Sequence, residues 1–347
     1  MDNFNIFRFL KNLLNRILSI FDLKIERKSI SLNNYRQQKV GSTLIQFLTS
    51  PEGNLKKDQN ECIVFSMDRA MQLHALLGSY LHHVKDPAPI HLLYRASNDV
   101  HHRAYLEVLE EFKLIILSVS LQDSKKTFRK QLLEILRNIH SNKLFFLVDD
   151  NVFIEKTDLS LFATIDSKFL IPSLRLGANL KRSYTVNKDQ PLPPFYSNSM
   201  HQNFENTVPV LNLPAEKDEL VYWFWKEGSF DWAYPLSVDG HMFNTSEILC
   251  LAENTEFNSP NTFESNLQQY NDFFKHRLGV CHKKSRLINV PCNRIQSDYE
   301  NLHGSLHQED LLKLWNSGKR IDFLALQNYQ NISAHEDLSL NFIDRIH

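Results

Sequence analysis

Between residues 61 and 148 the chain alternates short continuous apolar runs with segments of helical spacing, and this alternation narrows the fold more than any other feature. Cys62, Ile63, Val64 and Phe65 form an uninterrupted apolar run, the pattern of a strand buried on both faces. Leu73, Leu76, Leu77, Tyr80, Leu81 and Val84 follow at helical steps. The cycle repeats with a strand over residues 90–94, a helix over 101–112, a strand over 114–119, a helix over 127–139 and a strand over 144–148. Strands separated by helices of this length imply right-handed crossovers, and hence an α/β fold with a mostly parallel, Rossmann-like sheet covered by helices on both faces. Ligands on such sheets bind beyond the carboxyl ends of the strands.

Flanking this core, residues 29–60 are polar and irregular apart from an apolar patch at 44–48, and read as a linker or peripheral cover. Before them, Phe7, Leu10, Leu14, Ile17 and Phe21 recur at steps of three and four, with Lys11, Asn12, Asn15 and Arg16 between them. That is an amphipathic helix, and Lys24, Arg27 and Lys28 extend it with positive charge. A cationic, apolar-striped helix suits surface contact with an anionic membrane through residues 1–28, although packing on the body or on a partner accounts for the stripe equally well. The charges within the stripe argue against a spanning helix or a cleaved leader. Three parts are expected: 1–58 as helix and linker, 59–305 as the main domain, and 306–347 as a C-terminal helical extension.

A formal net charge of -1 gives no global field for nucleic acid, so none is expected as a partner. Four dispersed cysteines with no CxxC pair fit a reducing, cytoplasmic setting, with peripheral attachment to the inner face of the membrane if the helix binds lipid. Only nine glycines occur, and GxGxxG, P-loop and GxSxG patterns are absent, which weakens dinucleotide, P-loop and serine-hydrolase readings.

Chemistry concentrates where residues 143–151 read KLFFLVDDN. An apolar strand ends in Asp149, Asp150 and Asn151, hard oxygen donors suited to Mg²⁺ or Mn²⁺ facing a diphosphate. A solvated acidic turn is the plainer alternative. At the end of the fourth strand, this motif resembles the DXD-type motif of bacterial glycosyltransferases of the GT-A fold, and in particular the inverting, family-2-like enzymes. The resemblance covers the order of elements over residues 61–305, but only short motifs match, and Asn151 stands where an acid is usual.

The resemblance implies a nucleotide-diphosphate sugar as donor, a glycan or lipid-linked acceptor, and a role in building a bacterial surface polysaccharide. It implies Asp149 and Asn151 as metal ligands with a late histidine, His303, as a third. Donor contacts would come from Ser66, Asp68 and Arg69 after the first strand, Arg95 and Ser97 after the second, and Asp149, Asp150 and Arg175. Ser66 or Asp68 could equally cap the following helix, whereas a guanidinium such as Arg69 or Arg175 suits phosphate. Trp232, Tyr234 and Asp231, in an aromatic stretch, would form the acceptor pocket, with core packing as the alternative. Glu264, early in a helix that follows a proline-led turn, would be the general base, with Asp239 as its rival. A non-catalytic carbohydrate- or partner-binding protein on the same fold, or a nucleotidyltransferase, also remains open.

Overall fold

Burial on both faces is what makes the run at 62–65 a strand. In the computed structural model, which describes residues 35–46, 56–122, 125–163, 165–196, 220–291 and 307–345, the run lies inside strand β1 (Lys56–Met67). The alternation continues as α1 (Ala70–His83), β2 (Ile90–Arg95), α2 (Asp99–Glu111), β3 (Ile116–Leu121), α3 (Phe128–Asn138) and β4 (Ser141–Val148). Cys62 and Val64 face one core, shared with Leu73, Leu76 and Tyr80 of α1 and Tyr105 and Val108 of α2. Phe65 faces the other way, its ring 5.4 Å from Phe128 of α3 and 5.6 Å from Phe146 of β4.

β1 pairs in parallel with both β2 and β4, and β2 in parallel with β3. The chain therefore runs outward from β1 in one direction and then crosses to its other side for β4, so the reversal point lies between β1 and β4. A fifth strand joins β4 antiparallel further along the chain. The expected mostly parallel, Rossmann-like sheet with helices on both faces is the one observed.

Beyond β4 come β5 (Asn151–Phe153), β6 (Leu170–Ser173), β7 (Leu220–Phe224), β8 (Met242–Asn244), α4 (Thr245–Glu253), α5 (Pro260–Leu267), β9 (Leu278–His282) and β10 (Leu287–Asn289). β8 is the antiparallel fifth strand of the main sheet. β7, β9 and β6 form a second, three-stranded sheet, and β10 pairs antiparallel with β5. Helix α5 starts where the sequence places it: Ser259 and Thr262 form a reciprocal capping box and proline occupies the first turn. A cap of this kind stabilises a helix by about 1 kcal/mol.

Two expectations change at the ends of the chain. Contacts divide the protein into two units, 1–50 and 51–347. In the first, residues 35–46, assigned to a linker from their polarity, form a helix with Val40 and Leu44 buried. The amphipathic stretch at 1–28 lies outside the described residues. In the second, the segment from 306 onward is not simply helical. Among its described residues only α6 (Gln308–Asn316) is an α-helix, and residues 319–321 pair antiparallel with 342–344. Trp315 of α6 packs on His74 of α1 and donates to Glu107 of α2, so this segment belongs to the same body as the sheet. Among the described residues no helix is long and apolar enough to cross a membrane.

Candidate active site

The carboxyl ends of β1 and β4 meet at the reversal point, where open α/β sheets form a crevice. β1 runs into Ser66 and Met67, and Asp68 then turns the chain with φ of 52°, a left-handed conformation that a non-glycine residue adopts only when its surroundings hold it. Asp68 is held by its carboxylate, which accepts the Ser97 N–H at 2.7 Å and lies 3.9 Å from His101 Nδ1. The turn delivers Arg69 to the crevice. Its guanidinium NH1 donates to Asp149 Oδ1 at 3.0 Å and to Asp150 Oδ2 at 3.1 Å. Asp149 Oδ2 also accepts from the Ser66 hydroxyl at 2.8 Å and from the Met67 N–H at 3.1 Å. Below them Tyr105 of α2, fully buried, shares a 2.5 Å hydrogen bond with Ser66 and accepts the Arg69 N–H.

Asp150 bonds on its other side to the Asn289 amide at 3.0 Å. Burial pushes its carboxyl up to about 7 against the lowering effect of Arg69, and the charges of Asp149 and Asp239 add to the rise. Asn151 is completely buried. Its oxygen accepts the Val148 N–H at 2.9 Å and its Nδ2 donates to Asp239 Oδ1 at 2.7 Å.

Asp239 opens a second group of charges. Arg175, arriving after β6, donates to Ser237 at 3.0 Å, to Asp231 at 3.3 Å and to Asp239 Oδ2 at 3.4 Å. Ser237 in turn donates to Glu264 Oε1 at 2.7 Å, and the Val238 N–H reaches the same oxygen at 3.1 Å. Burial raises the Glu264 carboxyl above its ordinary value, against the lowering effect of Ser237 and Arg175. His335 Nε2 stands 3.6 Å from Asp239 Oδ2. Gly240 makes this crowding feasible, since at φ of 73° a Cβ there would meet Leu287 at 2.8 Å.

The structure thus gathers Ser66, Arg69, Asp149 and Asp150 into one cluster, and Asn151, next to Asp150 in the chain, begins a second hydrogen-bonded and charged group with Asp239, Arg175, Asp231 and, through Ser237, Glu264. Asp68 and Ser97 pair with each other on the adjoining loop, and Arg95 is exposed at the end of β2. Trp232 departs from its expected place in an acceptor pocket. Its side chain is wholly buried, packed edge-on against Trp223 at 4.8 Å and Phe195 at 5.6 Å, so it offers no free ring face to a sugar. The exposed ring in this stretch is Phe230, held at φ of 50° beside Asp231, with Tyr234 partly exposed. His303 lies outside the described residues.

Tyr105, Ser237, Asn289 and His335 are site residues that the sequence pattern did not single out. Tyr105 reads as an ordinary core position on the inner face of α2. Asn289 and His335 come together only because residues 334–336 run alongside β10, with Asn289 N–H donating to Ala334 O and Glu336 N–H to Asn289 O.

No protein-family model and no curated protein sequence matches the chain. Among solved structures it is similar to TarS of S. aureus, at 13% identity and a TM-score of 0.37 over 73% of this chain. It is also similar to 4-diphosphocytidyl-2C-methyl-D-erythritol synthase from Anaerococcus prevotii DSM 20548, at 14% identity and a TM-score of 0.36 over 68% of this chain and 93% of that one. The apo bifunctional glycosyltransferase WbbM is similar at 12% identity and a TM-score of 0.30 over 66% of this chain. The match spans 38% of the TarS chain and 39% of the WbbM chain. Similarity at this level says nothing about activity.

As folded, the donor set does not fit a divalent cation. Mg²⁺ or Mn²⁺ needs several oxygens converging on one point at short range. Asp149 and Asp150 instead converge on the Arg69 guanidinium, and Asn151 spends its oxygen on backbone. Among the described residues no group of three or more acidic, histidine or cysteine side chains is disposed to hold a metal.

Proposed function

We propose that the chain transfers a sugar from a nucleoside diphosphate donor to a hydroxyl of a glycan or glycolipid acceptor. The observation that carries this reading is the Arg69-bridged pair Asp149 and Asp150 at the reversal point of a parallel sheet, joined through Asn151 and Asp239 to a second charged group ending in Glu264. The first group suits the donor: a crevice at strand ends accepts a nucleotide, and a guanidinium recognises phosphate through directed N–H donors. The second suits an attacking hydroxyl.

Glu264 is the better base of the two carboxylates in that group. Both oxygens of Asp239 are engaged, by Asn151 and Arg175, whereas among the described residues only Oε1 of Glu264 accepts hydrogen bonds. Its raised pKa increases its basicity, and Ser237 and the Val238 N–H fix its orientation. In the proposed step the acceptor O–H proton passes to Glu264 as the acceptor oxygen bonds to the anomeric carbon. The bond from that carbon to the diphosphate breaks, and the nucleoside diphosphate leaves with the electron pair, inverting the anomeric centre. The Phe230 ring beside Asp231 offers the sugar a flat apolar face, the role first assigned to Trp232.

Thermal-shift titration with a panel of nucleoside diphosphates tests the reading. One base should stabilise the protein, Arg69→Ala should abolish the shift, and Glu264→Gln should keep the shift while losing transfer from the matching nucleotide sugar. A protein that responds to none of the panel would end the proposal.

A further inference from the structure

We infer that Arg69, rather than a divalent cation, bridges the Asp149–Asp150 pair, so that the crevice takes up a nucleoside diphosphate without metal. The inference rests on the donor reading above, but its central measurement does not require a nucleotide.

Three observations converge. One guanidinium nitrogen lies at 3.0 Å from Asp149 and 3.1 Å from Asp150, the position from which a bridging cation would contact both carboxylates. The arginine is built into that position. Its N–H is held by the buried Tyr105 hydroxyl, it follows a residue in left-handed conformation, and its side chain is only 13% exposed. The remaining oxygens of the motif are directed elsewhere: Asp149 Oδ2 to Ser66 and Met67, Asp150 Oδ1 to Asn289, and Asn151 Oδ1 to Val148.

A metal entering between the acids would have to displace Arg69 or sit beside its charge, and at such separations like charges in a partly buried site repel strongly. A resident guanidinium also differs from a metal in function. It brings a fixed set of N–H donors that requires no loading and does not depend on divalent cation concentration.

The test is a Mn²⁺ titration of the full chain, read by the electron paramagnetic resonance of free Mn²⁺. Wild type should show no saturable site. Arg69→Ala, which vacates the space between the acids, should gain a site at least about tenfold tighter than any wild-type binding, and adding Asp149→Asn should remove it. In parallel, stabilisation of wild type by its nucleoside diphosphate should be the same in EDTA as in Mn²⁺. A saturable wild-type Mn²⁺ site that Asp149→Asn removes, or nucleotide stabilisation abolished by EDTA, would overturn the inference. The wild-type titration decides even if Arg69→Ala fails to fold. A chain that responds to no nucleotide would sink the functional reading while leaving the Mn²⁺ result to be judged by itself.

Discussion

Replacing Asn151 by Asp changes one group of atoms and restores an acid at the third position of the motif. It places a carboxylate oxygen where Nδ2 now donates to Asp239 Oδ1 at 2.7 Å, at a residue with no solvent exposure. Two ionised carboxylates at that separation would repel by roughly 6 kcal/mol at an effective dielectric of about 20. The pair has a cheaper state, in which one carboxyl stays protonated and the proton restores the hydrogen bond. Keeping an aspartate with an ordinary pKa of about 3.9 protonated at pH 7 costs about 1.4 kcal/mol for each of about three units, or about 4 kcal/mol, and at pH 5 about 1.5 kcal/mol. The sign follows from a folded-state pKa raised above the unfolded one: the folded protein binds the extra proton, so stability is lost as pH rises. Urea denaturation of wild type and variant at both pH values measures the difference. The variant should be less stable by up to about 4 kcal/mol at pH 7, a large share of a typical domain's total, with a smaller deficit at pH 5. Equal stabilities at pH 7, or a deficit that does not shrink on acidification, would refute the assignment of Asn151 as a buried donor to Asp239.

Two further predictions concern the body that carries the site. Arg277→Ala leaves Glu247, 2% exposed, without its paired bonds of 2.9 and 2.7 Å, and should cost about 3–5 kcal/mol in urea denaturation because a buried charge loses its partner; a loss under about 1 kcal/mol would show the pair to be dispensable. His241 and His282 are both held down to about 3, mainly by burial, and Arg175 and Arg286 respectively add to the effect. For a base with a depressed folded pKa the unfolded chain takes up protons first, so stability should fall as pH drops below the ordinary histidine value of about 6.5 toward 3. Urea midpoints across this range should decline, less steeply in His241→Gln, and midpoints that rise on acidification would contradict the reading.

The main sheet was legible because local pattern and global burial agree there. A strand covered on both faces must be apolar throughout, so residues 62–65 and 144–148 announce themselves, and the helices between them carry their spacing on one face. β3 shows the limit of this reading. It begins at Ile116 rather than 114, and its residues alternate in exposure at the sheet edge, where Leu117, Val119 and Leu121 reach solvent. Apolar character alone does not fix the register of a half-covered strand. The helix at 35–46 was missed for the related reason that mainly polar residues surround its few buried positions.

The sequence by itself determined the α/β alternation, the acids at the end of β4 and the arginine after β1, because each is encoded within a few consecutive residues. Only the tertiary structure decided how those groups use their charge. Whether Asp149 and Asp150 face a metal or Arg69 depends on a contact across some 80 positions of chain. Whether Asn151 is a ligand or a structural donor depends on Asp239, 88 residues away. Trp232 and Phe230 lie two positions apart in one aromatic stretch, and composition cannot say which is core. The turn buries the first against Trp223 and leaves the second in solvent. Ser66, Arg69, Asp149 and Asp150 came from strand ends, where the sequence marks them. Their partners came from segments that meet only when the sheet has formed and the C-terminal segment runs back beside β10.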